Sequence, residues 1–532
     1  MVASLQTRRS RAPVLFATAL YIVLGGCASV EVPKLPTRDL PAHWRNAPQL
    51  GAKPDLTGWW KHFHDPELNA LVERALHDNL DVQQAVWKLR AARTLEDAAA
   101  TRFKPKLGFN TIEEPNPENT ASYFQAGFDA TWELGLFGRR EANGHVAAAE
   151  TGAAEAELQS ARVSLVAEVV REYLQLRAAQ RSDALLEDAA KAVRGKVDLL
   201  GVRLRLQLAS QLEVEQGEAA AAKAEARLAD PRMAIAQHAQ TLALLLGKSE
   251  PSPAWLQAQP LPGLMAANVA SVPADLLRTR PEIRYAETAV LKAAGELGIA
   301  KADLYPRLAL GSSLTFAALV KGQAQLGDLN NTFAIGPIID IPLFDWGQRR
   351  AVRDTREDQL QAALVAYRQA VLKGAAEVET DLAALHASAQ RLRYASTAAS
   401  ASQRGLALSR KLRHLGQADA MNLADARLAL TEAELDREQA RLAHGLAYVA
   451  LYKALGGAPL PEIDDRGESR PGDSSVNGKG SDAFPPPLGR TVPEGPDEGP
   501  HSNGVEAPGG FGPTPLPLSR REKGEPHRIG HP

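Results

Sequence analysis

The stretch Asp340-Ile341-Pro342-Leu343-Phe344-Asp345-Trp346-Gly347-Gln348-Arg349-Arg350 decides the fold, because a version of it occurs earlier in the chain. The echo is Trp132-Glu133-Leu134-Gly135-Leu136-Phe137-Gly138-Arg139-Arg140, and Gly138 aligns with Gly347 at an offset of 347 − 138 = 209. Each copy closes a run in which apolar and polar residues alternate, then opens a long Ala-rich segment without proline. That pattern is a strand handing over to a helix. Gly138, Arg139, Phe344, Asp345 and Gly347 are the candidate strand-to-helix junctions.

The same offset aligns Leu245-Leu246-Gly247 with Ala454-Leu455-Gly456, and Ser210 with Asp419. Upstream, Leu80 to Ala85 pairs with Pro281 to Ala286, and Pro105 with Pro306, at 306 − 105 = 201. The difference, 209 − 201 = 8 residues, falls between Pro306 and Gly347 and is expected as a loop between two strands. The chain reads as a tandem duplication.

Bulk composition says little about partners: 532 residues, 45% hydrophobic, 5% aromatic and a formal net charge of -2. A nucleic-acid binder carries a basic stripe with aromatic neighbours, and none is visible. The single cysteine excludes an intramolecular disulfide and a multi-cysteine metal cluster. It lies at Leu24-Gly25-Gly26-Cys27, after Arg8, Arg9, Arg11 and an apolar run from Val14 to Leu24. Positive flank, short apolar core and small residues describe a secretory signal over residues 1–26. The run is too short for a mature membrane-spanning helix. Leu-Gly-Gly-Cys resembles a bacterial lipobox, which implies acylation of Cys27. Ala28 in place of aspartate resembles the outer-membrane sorting pattern.

Residues 27–58, rich in proline, read as an extended tether. A first repeat follows over 59–250, beginning with a helix expected from Glu67 to Thr101. His62 and His64 beside Asp65 suggest a metal site only weakly, since side chains two apart diverge on a helix and no further ligand motif joins them. No metal or cofactor is expected.

From Phe124 to Leu134 the even positions are Phe, Ala, Phe, Ala, Trp and Leu, and the odd ones Gln, Gly, Asp, Thr and Glu. Leu308, Leu310, Leu314 and Phe316 repeat the pattern, as do Phe333, Ile335, Pro337, Ile339 and Ile341. Leu107 to Ile112 is the weakest of the four strands. Runs of about 9–11 residues suit transmembrane β-strands. Periodicity alone fits a soluble sandwich equally well; the lipoprotein signal favours the membrane. Four strands are too few to close a barrel, which needs about eight or more. Open edges are not tolerated in lipid, so the barrel must be shared between subunits.

Arg139 to Arg205 and Arg349 to Leu415 are proline-free and long enough to reach on the order of 100 Å as helices. Leu364, Tyr367, Val371, Gly374, Val378, Leu382 and Leu385 step by threes and fours, and Leu158, Leu165, Val169, Tyr173 and Leu176 repeat them. This is a coiled-coil seam. The chain is expected to turn back near Gln207 to Ser210 and Gly416 to Asp419. Ser210 with Glu213 forms a capping-box pattern, and Asp419 is an equally good N-cap. Asp230-Pro231 should interrupt the first returning helix. Residues 251–273 read as a linker, 274–460 as the second repeat and 461–532 as a disordered Pro/Gly-rich tail expected to be dispensable.

These features together resemble the TolC-type outer membrane efflux proteins, in the lipoprotein branch serving resistance-nodulation-division (RND) pumps. The carrying residues are Leu24 to Cys27, Trp59-Trp60 with Phe63 and Asp65-Pro66, Leu80-Asp81-Val82 with Ala85, and Tyr305-Pro306. With them stand Leu136 to Arg139, Pro342 to Asp345 with Gly347, and Leu244 to Gly247. The resemblance covers residues 14 to about 460. It implies a mainly α chain with a transmembrane β-barrel: a homotrimer with four strands per chain, a periplasmic helical tunnel and outer membrane lipid around the barrel. It also implies a periplasmic adaptor and an inner-membrane RND transporter as partners. The function implied is a passive exit duct for drugs, toxic compounds or metal ions. Ser210, Gly416 and Asp419 would stand at the periplasmic entrance, with three Asp419 carboxylates around the axis as its gate. The short first hairpin and the long tail depart from the family pattern.

Three other functions compete with this one. Gly247-Lys248-Ser249 hints at a phosphate loop, but Leu242 stands where its first glycine belongs, and no other catalytic motif occurs, so no enzyme is expected. A structural coiled-coil lipoprotein would not need the strands. A duct for type I protein secretion stays open.

Overall fold

The structure, a computed structural model, describes residues 33, 35, 44, 56–114, 122–264, 280–321 and 325–459. Cys27, the tail and most of the tether lie outside the described residues, as do both hairpin tips and the end of the linker. A short 3-10 turn at Trp59–Phe63 precedes α1 (Pro66–Asp78) and α2 (Leu80–Ala99), then strands β1 (Lys106–Glu114) and β2 (Ser122–Glu133). The long helix α3 (Arg139–Arg205) is followed by α4 (Gln211–Ala226) and α5 (Ala229–Leu245). The second half repeats the plan with α6 (Pro281–Ala302), β3 (Arg307–Lys321), β4 (Gln325–Asp340), α7 (Gln348–His414) and α8 (Ala420–Ala454). Both long helices have 67 residues.

The strands form one antiparallel sheet in the order β1-β2-β3-β4. Above the middle of the molecule the helices line up as α2, α3, α6, α7; toward the other end α4 and α5, then α3, α8 and α7 are neighbours. Each layer is thus an open ribbon with a first-half element at one edge and a second-half element at the other. The main core lies around the middle of α3, where Tyr173, Leu174 and Leu176 meet Trp59, Leu68, Leu71, Tyr448 and Leu451. Trp59 stacks on Tyr452 with centroids 5.4 Å apart, and its indole nitrogen donates to the Gly457 carbonyl at 3.0 Å. The end of the second half is thereby clasped to the start of the first.

Four expectations need correction. The helix expected from Glu67 to Thr101 is two helices, because Asn79 leaves helical geometry (ψ 129) and its side chain accepts from the amides of Asp81 and Val82. Pro281 occupies the position of Leu80 in the repeat, at the first residue of α6; a proline there marks a helix start and was the missed signal. β3 and β4 run to 15 and 16 residues where β1 and β2 have 9 and 12, so the added length goes into a longer ladder, up to Lys321 and Gln325, instead of forming a loop. The linker is packed in its first part: Trp255 and Leu261 are buried, their apolar surface joining the core around α3. The interruption at Asp230-Pro231 falls earlier, at Arg227-Leu228, which leaves Pro231 in the first turn of α5 where its missing N–H costs nothing.

Candidate functional site

The sheet has two unlike faces. Phe109, Phe128, Leu314 and Phe333 stand in register across all four strands, with the first two rings 5.1 Å apart. Leu107, Ala130, Ser312 and Ile335 form the next row, and Trp132, Leu310 and Pro337 the one after. Phe333 and Ile335 are 67% and 63% exposed in the single chain. The opposite face carries Asn110, Gly127, Thr315 and Thr332 in one row and Gly108, Asp129, Ser313 and Ala334 in the next. Asn110 donates to Asp129 across it at 2.7 Å. One face suits hydrocarbon and the other water.

At the junctions Gly138 (φ 77) and Gly347 (φ 85) start the long helices from left-handed backbone, each preceded by an aromatic residue of positive φ, Phe137 (55) and Trp346 (56). Arg139 is buried; its guanidinium pairs with Glu133 at 3.1 Å and with Asp303, which also accepts from Arg307 at 2.7 Å. Burial works to raise the Asp303 carboxyl, but the two guanidiniums outweigh it and hold the group below its ordinary range. This cluster ties β2 and α3 to the end of α6, a link between halves that no local pattern signals. Asp345 accepts from the amides of Gly347 and Arg349 at 3.1 and 3.2 Å. Phe344 and Trp346 meet edge-on at 4.7 Å and remain largely exposed.

At the far end Gly416 (φ 71) and its repeat equivalent Gln207 (φ 60) turn the chain in the same way. Ser210 and Glu213 form the full capping box of α4, and Asp419 with Asn422 that of α8. Arg203, in the last turn of α3, lies 3.8 Å from the Asp419 carboxylate, and Lys196 lies 2.6 Å from Asp425. The sequence reading missed both cations; for Arg203 its place in the last turn of a helix was the available clue. The structure places Ser210, Gly416 and Asp419 at one end of the helical layer, in exposed turns.

The remaining candidates have structural partners. His62 contacts the Trp59 carbonyl at 2.9 Å and the Tyr448 hydroxyl at 3.2 Å, and Asp65 caps α1. Gly247 (φ 67) ends α5, with Lys248 donating to the Ala243 carbonyl at 2.8 Å; Gly456 and Gly457 repeat this cap after α8. Among the described residues no helix is long and apolar enough to cross a membrane.

Comparison with known proteins gives the same picture. The profile of the family "Outer membrane efflux protein" matches residues 71–248 and again 272–457. The pyoverdine export outer membrane protein OpmQ of Pseudomonas aeruginosa is 29% identical over 457 residues, covering 82% of this chain and 95% of that protein. The toluene efflux pump outer membrane protein TtgC of Pseudomonas putida is 26% identical over 456 residues, covering 82% and 93%. Among solved structures, the outer-membrane channel OprN is 30% identical with a TM-score of 0.69, covering 81% of this chain and 99% of its own. The open-state MtrE outer membrane channel of Neisseria gonorrhoeae is 25% identical with a TM-score of 0.71, covering 81% and 98%. With the family profile spanning most of both halves, the chain belongs to the outer membrane efflux protein family and builds an outer-membrane channel, not an enzyme.

Proposed function

We propose that three copies close their sheets into one barrel, three times four strands giving twelve, and their helical ribbons into a tunnel reaching through the periplasm. The barrel is the exit duct of a tripartite system whose inner-membrane RND pump and periplasmic adaptor supply substrate and energy. One observation carries the reading: a two-faced sheet whose edges, β1 and β4, have no strand neighbour among the described residues. An unpaired backbone edge in hydrocarbon is costly, and a shared barrel removes it. The two long helices support the same reading. Of equal length, α3 buries twenty-four residues and α7 only eight. Ala156, Val163 and Leu185 of α3 are buried, whereas their equivalents Val365, Leu372 and Tyr394 are exposed on α7. The missing cover on α7 is the next copy.

Small molecules are the cargo this reading assigns, because the relatives' names concern pyoverdine, toluene, antibiotics and solvents. The test is complementation of a strain lacking its own exit duct, with a matching pump and adaptor supplied. Restored exclusion of small toxic compounds is expected; restored protein secretion without it would transfer the chain to the secretion ducts.

Two site assignments belong to this reading. Cys27 carries the lipid anchor, so Cys27→Ser should abolish incorporation of labelled fatty acid, and persistent labelling would remove the anchor. Asp419 narrows the periplasmic entrance by gathering three carboxylates at the axis, where they attract cations. Asp419→Asn keeps the cap, since asparagine caps as well as aspartate. Single-channel conductance and cation preference should therefore change while the unfolding midpoint stays put. Unchanged conductance would leave Asp419 as a cap alone.

A further inference from the structure

Within one chain the two halves meet at a junction that can be read residue by residue. The β2·β3 ladder runs through Trp132 with Leu310 and Glu133 with Ala309, and the Leu134 amide donates to the Leu308 carbonyl at 3.1 Å. Three residues farther on in the same register, Phe137 stacks on Tyr305, centroids 4.9 Å apart and planes at 15°. Both sides of this contact exist a second time in the chain. Carried forward by the offset of 209 (346 − 137), Phe137 becomes Trp346; carried back by 201 (305 − 104), Tyr305 becomes Lys104.

The backbones agree as well as the numbering does. Trp346 has φ 56 where Phe137 has 55, and the turn bond of Arg139 N–H to the Leu136 carbonyl (3.2 Å) recurs as Gln348 to Asp345 (3.0 Å). On the other side, Tyr305 donates to the Ala302 carbonyl at 3.1 Å and Lys104 to that of Thr101 at 3.0 Å. Yet the second pair is split, since Trp346 follows edge strand β4 and Lys104 precedes edge strand β1. Trp346 is 90% exposed and Phe344 74%. Two residues along the same register, Phe344 answers to Lys106 as Gly135 does to Arg307.

We propose that Trp346 and Phe344 of one protomer seat against Lys104 and Lys106 of the next, so that the contact between copies repeats the contact between halves. The inference rests on the shared barrel proposed above and adds its register. An ammonium over an aromatic face is attracted by the ring quadrupole, and the lysine stem covers the ring. The contact joins unlike edges, the arrangement that closes into a ring. The alternative occupant is the interfacial layer of the bilayer, where tryptophan is commonly found.

The test uses the full chain in outer membranes, with Trp346→Cys and Lys104→Cys combined, and oxidation or a short bismaleimide as the cross-linker. Covalent two- and three-chain species are expected from the double variant. They should be absent from either single variant, which controls for Cys27, and from Trp346→Cys with Asn110→Cys, six residues along β1. Absence of cross-links in an oligomer of intact mass overturns the register and leaves the shared barrel standing; a monomeric mass removes both. Trp346→Ala and Lys104→Ala provide a second measure through heat resistance of the oligomer in detergent. Together they should cost little more than the worse of the two alone. Fully additive losses would assign Trp346 to lipid and overturn the proposal.

Discussion

Phe128→Arg is expected to abolish stable membrane insertion, because Phe128 stands in the central row of the apolar face between Phe109 and Leu314. An arginine on the lipid face costs ~2–4 kcal/mol near the bilayer midplane. In a three-copy barrel the cost recurs once per copy. The obvious partner for comparison, neighbouring Gly127 on the water face, is unsuitable: a Cβ there would sit 2.6 Å from the Leu314 carbonyl oxygen and 3.0 Å from the Thr315 Cα. Any substitution at Gly127 forces β2 and β3 apart. Thr131 is the proper control, on the same face as Gly127 and exposed. Thr131→Arg should insert nearly as well as the parent, measured as the heat-modifiable, protease-resistant fraction in outer membranes. Equal loss at positions 128 and 131 would mean that the face is assigned wrongly.

Arg177→Ala should be the most destabilising single change in the helical body. The Arg177 side chain is fully buried, 2.8 Å from Glu67 and 2.8 Å from the Gln180 side chain, and donates to the carbonyls of Trp255 and Gln257 at 3.3 and 3.0 Å. Its guanidinium also lies 4.9 Å from the Tyr173 ring centre. Burial pushes the Tyr173 phenol up, so it stays protonated and donates to Asp65 at 2.8 Å. Removing Arg177 takes the charge partner from Glu67 and the donor from the Gln180 side-chain oxygen and the Gln257 carbonyl, while the Trp255 carbonyl keeps the Gln180 amide at 2.7 Å; breaking a buried pair in this way costs about 3–5 kcal/mol. Glu67 is 26% exposed and regains some water, which places the expected loss near the lower figure. The denaturant midpoint of detergent-solubilised protein is the measurement. Arg177→Lys should rescue it poorly, because an ammonium has three donors for four acceptors and lacks the fork of the guanidinium. A midpoint within error of the parent for Arg177→Ala would show that the network contributes nothing.

The elements legible in the sequence were those with a local period. Alternation located β2, β3 and β4, the proline-free runs located α3 and α7 to within one residue, Ser210 was readable as a cap from Glu213 three residues on, and Asp419 from its alignment with Ser210. What stayed hidden depends on partners far apart in the chain. Arg177 and Glu67 are separated by 110 residues and Arg139 and Asp303 by 164, and neither arginine stands out on its own helix. Arg203 beside Asp419 becomes visible only once the returning helix is folded against the outgoing one. The break at Asn79 was legible after all through its repeat, since Pro281 marks the same boundary in the second half. A duplicated chain can be read twice, and the clearer copy corrects the other.

The central claim, a barrel shared by three copies, is tested most directly by the mass of the folded particle in detergent. One chain has a mass of 57.0 kDa before any processing. Native mass spectrometry after release of the micelle is expected to give three chains per particle, with strand content retained by circular dichroism. A one-chain particle that keeps the full strand content would contradict the account, because the four-stranded sheet would then be stable in a membrane mimetic with both edges open.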